Sequence, residues 1–248
     1  AAAFWLLIAT LAWAPFPLGS NRPWSWTVLV LLVAAAALLW AMANWHRPGT
    51  ALAYFGRLAG PIVLGLAALL WGVVQIAPWV PADWTHPVWA IAADALKHPL
   101  AATISLDPWR TGTEVMKLAT YGTAMLLAAF LARPPERASR LLTALIAIGA
   151  FYAAYGFCLG LFATSQYKLL YPALGFSPGF RPGPFVLHNS FATYLGLMAL
   201  CAGVKLADSG RETFRIGRGF RLFLHTAARF FSGRGMGLLL AFFLILSM

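Results

Sequence analysis

Arg181, His188 and Asn189 stand in the part of this chain best suited to chemistry, residues 175–197. It reads Gly-Phe-Ser-Pro-Gly-Phe-Arg-Pro-Gly-Pro-Phe-Val-Leu-His-Asn-Ser-Phe-Ala-Thr-Tyr-Leu-Gly-Leu. Gly175, Gly179 and Gly183, interleaved with Pro178, Pro182 and Pro184, keep its first half out of a helix. An apolar run follows from residue 187, which places His188 and Asn189 in the first turn of a helix. There the backbone N–H groups lack intrahelical acceptors and the helix dipole presents its positive end. A guanidinium beside such an end suits a phosphate or pyrophosphate group. The same residues also admit a plainer reading, in which Arg181 snorkels to lipid phosphate and Asn189 caps the helix. The residues by themselves leave both open.

Other chemistry is poorly represented. There is no Gly-rich phosphate loop ending in Lys-Ser/Thr, no His-Glu-x-x-His, no Cys-x-x-Cys and no intramembrane acid pair. The two cysteines, Cys158 and Cys201, lie in apolar runs, where a thiol serves as a small hydrophobe. No metal and no cofactor are therefore expected. Gly156-x-x-x-Gly160 allows close helix approach and is read as structural. His46, His86 and His98 fall in connecting segments.

The elements that must position these residues follow from composition. Of 248 residues, 61% are hydrophobic and 10% charged, with a mean hydropathy of +0.75. Soluble domains carry roughly 25% charged residues. The fold class expected is therefore all-α, a polytopic transmembrane helix bundle. About 20 apolar residues cross a bilayer core, and such runs fall at 1–18, 24–43, 59–78, 112–132, 141–163, 187–206 and from 236 onward, about seven spans. No alternating pattern of a barrel is present. The chain begins and stops inside apolar runs, so it is read as the N-terminal portion of a longer protein, a transmembrane domain over 1–248.

Charge sets the expected sidedness. Of the 18 Lys and Arg residues, twelve fall in the even connections and span ends (Arg47, Arg57; Arg133, Arg137, Arg140; Lys205 and the six arginines at 211–234), against six in the odd ones. The excess marks the even connections and the N-terminus as cytoplasmic. The net charge of +11 is mostly this topology signal, and no motif supports nucleic acid as a partner. Residues 79–111 then form an outer loop whose Trp79, Trp84, Trp89 and Trp109 suit the membrane–water interface, with a short interfacial helix over 88–97. Within the cytoplasmic loop 207–234, Arg218, Arg221, His225 and Arg229 recur on one face of 213–231. That pattern predicts a basic amphipathic helix against anionic membrane lipids.

Around the Arg181 stretch the sequence resembles the O-antigen ligase and O-antigen polymerase superfamily of bacterial envelope proteins. The likeness is carried by Gly183-Pro184-Phe185-Val186-Leu187-His188-Asn189-Ser190-Phe191-Ala192, similar to a Gly-x-Phe-x-Asn-x-Asn-x-Phe-Ala pattern leading into a span. Two further stretches are similar, Ala14-Pro15-Phe16-Pro17-Leu18-Gly19-Ser20-Asn21-Arg22-Pro23-Trp24 and Thr103-Ile104-Ser105-Leu106-Asp107-Pro108-Trp109-Arg110-Thr111. Leu187 replaces the first Asn of the pattern, and Ser232-Gly233-Arg234-Gly235 departs from the family's Ser-Arg-Gly.

The resemblance implies a metal-independent, multi-pass glycosyltransferase of the bacterial inner membrane. It would move a glycan from undecaprenyl pyrophosphate to an acceptor on the periplasmic face, with Arg181 on the donor pyrophosphate and His188 and Asn189 beside it. A catalytic outer loop would lie beyond this chain. The competing expectation is a non-catalytic transmembrane subunit packed against other membrane subunits. A transporter is disfavoured, since no inverted repeat or paired broken helices occur.

Overall fold

A computed structural model describes residues 1–46, 56, 58–162, 183–185, 187–214, 237, 240–242 and 244, without the side chains of His188 and of residues 209–214. All regular structure among the described residues is helical: α1 (Ala2–Trp13), α2 (Pro23–Asn44), α3 (Ala59–Ile76), α4 (Val88–Leu96), α5 (Pro108–Leu131), α6 (Pro135–Leu161) and α7 (His188–Phe214). Five segments are long and apolar enough to cross a membrane: α2, α3, α5, α6 and Asn189–Asp208 within α7. Only 6% of the most apolar window of α3 is buried, and 33% even in α6. Helices that keep this much apolar surface outward need a lipid solvent, so the protein is a membrane protein.

The helix ends follow local chemistry. The run expected to span 1–18 is a helix of only 12 residues, about 18 Å long at 1.5 Å per residue. Pro15 and Pro17 stop it, because neither offers an N–H to continue the ladder. α3 ends before Pro78, with Ala77 already extended at ψ 131°. α5 starts at Pro108, earlier than the apolar run alone indicates, because Asp107 Oδ1 accepts the Arg110 N–H at 2.9 Å. α6 likewise opens with Pro135, whose missing N–H costs nothing in a first turn. α7 continues past the apolar run to Phe214. The basic amphipathic stretch beyond Phe214 lies outside the described residues, as does most of the segment from 236 onward.

The chain divides into two compact units. One comprises residues 1–3 and 30–129. Within it α3 and α5 approach at Gly72, where an added Cβ would lie 2.4 Å from Val115 Cγ2. The other comprises residues 4–29 and 130–248 and holds a core built where α6 meets α7. Tyr152, Ala153, Phe191, Leu195, Met198 and Ala199 are buried there. Gly149 sets the spacing of the pair, since a Cβ on it would meet Met198 Cβ at 2.6 Å. The glycine that brings these helices together is thus Gly149; Gly156 of the Gly-x-x-x-Gly pair is also buried.

Candidate functional site

The second unit assembles its candidate site from two segments far apart in sequence. The first is the turn between α1 and α2. Leu18, Gly19 and Ser20 all have positive φ (57°, 65° and 53°), a run that two non-glycine residues adopt only under constraint. The constraint is visible: Gly19 N–H donates to Pro15 O at 3.0 Å, Ser20 N–H to Pro17 O at 3.0 Å, and the Ser20 hydroxyl to Ala14 O at 2.8 Å. Pro17, Leu18 and Ser20 are buried. Ser25 then opens α2 by exchanging bonds with Arg22: its hydroxyl accepts the Arg22 N–H at 3.1 Å and donates to Arg22 O at 2.9 Å.

The second segment is Gly183-Pro184-Phe185, which leads to α7. Phe185 rests on the turn, at the place a Gly19 side chain would fill: a Cβ there would be 2.8 Å from Phe185 Cδ1. Gly183, at φ 120°, lies under the Phe191 ring, 2.6 Å from where its own Cβ would be. Phe185 stacks on Phe191 with centroids 5.9 Å apart and tilts against Tyr194 at 5.5 Å. Tyr194 meets Tyr152 edge-on at 6.2 Å, and the Tyr152 hydroxyl donates to Ala12 O at 2.6 Å. The chain of contacts returns to the end of α1, so the turn and the start of α7 are held as one piece. Beside it the indole of Trp13 packs against Phe16 and Trp24, and its Nε1, buried, has no acceptor among the described residues.

The residues expected to bind substrate are placed unevenly. Arg181 lies outside the described residues. His188 is the first residue of α7, with its side chain outside the description. Asn189 is exposed in the first turn of α7, one residue inside the helix rather than at its cap. Its carbonyl accepts the Thr193 hydroxyl at 2.9 Å. Of the aromatic set, Phe185 and Phe191 are the two Phe positions of the resemblance motif, whereas the sequence gives no role to Tyr152 or Tyr194. The signal of the set is the helical spacing of Phe191, Tyr194, Leu195 and Met198, whereas nothing local links Gly19 to Phe185.

The stretch 103–111 belongs to the first unit, and its polar groups serve the backbone. Thr103 Oγ1 donates to Ser105 O at 2.7 Å, the Ser105 and Thr111 hydroxyls share a 2.7 Å bond, and Asp107 N–H donates to Ser105 Oγ at 3.1 Å. These side chains brace the turn that leads into α5 and cap its start.

A separate cleft of about 440 Å³ lies between the start of α6 and the end of α7, lined by Ser139, Leu142, Val204, Lys205 and Asp208. Lys205 Nζ donates there to Ser139 O at 3.0 Å, and to the hydroxyls of Ser139 and Thr143, tying the two helices together. Among the described residues no three His, Cys, Asp or Glu side chains gather as metal ligands. Cys158 is exposed and Cys201 half-buried, both free thiols. Comparison with family models, with curated proteins and with solved structures finds no match to this chain.

Proposed function

We propose that this chain belongs to a membrane glycosyltransferase resembling O-antigen ligases and polymerases. In this reading it has about seven spans in a bacterial inner membrane, the N-terminus cytoplasmic. It binds a glycan carried on undecaprenyl pyrophosphate at the periplasmic face. The observation that carries the reading is the seating of Phe185 on the Gly19 turn. Two of the three stretches on which the family resemblance rests, distant in sequence, meet in one built piece. A strained turn held by Ser20 and buried prolines fits a role beyond spanning, because such backbone persists only where its surroundings enforce it.

On this reading Arg181 meets the pyrophosphate by charge-assisted hydrogen bonds at the positive end of α7, and His188 and Asn189 contact the phosphate or first sugar. Stabilising charge on the departing pyrophosphate is the electrostatic part of the transfer. A general base takes the proton of the acceptor hydroxyl as its oxygen displaces the pyrophosphate.

The test is glycan transfer in membranes holding the protein as the cell makes it. Bonds to a charged group contribute about 1.5–3 kcal/mol, so Arg181→Ala is expected to lower transfer roughly 10- to 100-fold. Arg181→Lys keeps the charge and should retain part of the rate. Transfer unchanged in Arg181→Ala would overturn the assignment of Arg181. No transfer by the native protein would favour the non-catalytic subunit.

A further inference from the structure

We infer that α4 is a membrane-surface platform, tethered through its start to the ends of α3 and α5, with Val88, Ile91 and Ala95 lying in the lipid headgroup–acyl boundary. The inference needs only a membrane protein and is independent of the glycosyltransferase reading.

Three observations support it, all within one unit. The first is tethering. Ser105 N–H donates to Gln75 O at 3.0 Å, fixing the loop to the last turn of α3. The Ser105 hydroxyl bonds that of Thr111, fixing it to the first turns of α5. His86 N–H donates to Thr103 O at 3.0 Å, and Trp89 Nε1 to Ser105 O at 3.1 Å, so the start of α4 hangs on the same strap. A segment tied to the ends of two membrane-crossing helices sits at the bilayer surface.

The second is the arrangement of α4 itself. At ~100° per residue, Trp89 and Ala93 face the strap, Asp94 and Lys97 point to a polar side, and Ile91, Ala95, Val88 and Leu96 fill an arc of about 140°. Most of that arc is uncovered: Ile91 is 68% exposed, Leu96 65% and Val88 37%, with only Ala92 inside it half-buried. Apolar stripes of this width normally face a core. The polar side carries an Asp94–Lys97 ion pair at 2.9 Å, also exposed, so the helix offers one wet and one dry flank.

The third is continuity. Trp79, Trp84, Trp109 and Leu106 are exposed around α4 (74%, 57%, 86% and 59%), and the apolar outer surface of α3 runs up to the same end. Indole rings are stable at headgroup level, amphipathic as they are. The segment 77–111 holds three acids, Asp83, Asp94 and Asp107, against two bases, Lys97 and Arg110. It therefore has no electrostatic preference for anionic lipid, and binding rests on apolar insertion.

The test places single cysteines at 88, 91, 94, 95 and 97 of the full chain, with Cys158 and Cys201 replaced by Ala, and attaches a nitroxide in bilayers of zwitterionic lipid. Collision with oxygen should exceed collision with a water-soluble nickel chelate at 88, 91 and 95, and the order should invert at 94 and 97. Nickel access at 88, 91 and 95 equal to that at 94 overturns the inference. So does protection from both reagents, which means protein covers the face. Carbene-generating lipid labels on the native chain, read by peptide mass spectrometry, give the same discrimination without substitution. Label on the 88–96 peptide supports the platform, and its absence contradicts it.

Discussion

At Gly19 the backbone conformation and the Phe185 ring exclude a side chain for two separate reasons. A left-handed φ costs a non-glycine residue about 1–2 kcal/mol, and forcing a methyl into packed space adds about 1–3 kcal/mol. Gly19→Ala is therefore expected to destabilise the protein by about 2–5 kcal/mol, read as a lowered unfolding midpoint in detergent. Gly65→Ala is the control: nothing lies within 4 Å of its Cβ position, it sits inside α3, and the exchange should be neutral or stabilise by up to about 1 kcal/mol. Equal loss in both would contradict the contact. Tyr152→Phe removes the hydroxyl that donates to Ala12 O and also meets the Phe16 backbone N–H, and should cost about 1–3 kcal/mol. None of this was legible residue by residue. Gly19 reads in sequence as a turn glycine among prolines, and no local pattern says that its neighbour is Phe185. The polar residues that drew attention, Arg181, His188 and Asn189, stood out because charge and amide groups are rare beside an apolar run. Of the aromatics that organise the site, Phe185 and Phe191 stand in the resemblance motif, while Tyr152 and Tyr194 look in sequence like ordinary lipid-facing residues.

Among the elements, the apolar runs at 24–43, 59–78, 112–132, 141–163 and 187–206 gave helices close to their expected places, because a bilayer admits little else. Their ends were less legible. Asp107-Pro108 and Pro134-Pro135 begin helices ahead of the apolar runs, where capping and first-turn geometry matter more than hydropathy. α1 stops short because two prolines outweigh the apolar residues around them. The α6–α7 pair tests packing at this scale. A side chain at Gly149 meets Met198 Cβ, an atom that cannot turn away without moving α7. Gly149→Leu should therefore separate the helices and lower the unfolding midpoint clearly, by about 1–3 kcal/mol or more. Retention of the native midpoint would mean that the pair is not set by Gly149.

For the whole molecule, sequence showed a membrane protein through composition alone, and the outward apolar surfaces of α2, α3, α5, α6 and α7 agree with it. Sidedness rests on the Lys and Arg distribution, which predicts that a cysteine at Asp83 reacts with a membrane-impermeant maleimide in intact cells while one at Arg137 reacts only after lysis. The reverse pattern would invert the topology and place the start of α7 on the cytoplasmic side, away from a periplasmic donor. The central claim, a site for a pyrophosphate-linked lipid glycan, is tested most directly by binding. Full-length protein in lipid nanodiscs would be titrated with undecaprenyl-pyrophosphate glycan and, separately, with the same lipid as its monophosphate. Saturable binding of the pyrophosphate form, weakened about tenfold or more by Arg181→Ala, is the predicted result. Equal, non-saturating uptake of both lipids by native and variant protein would contradict the account.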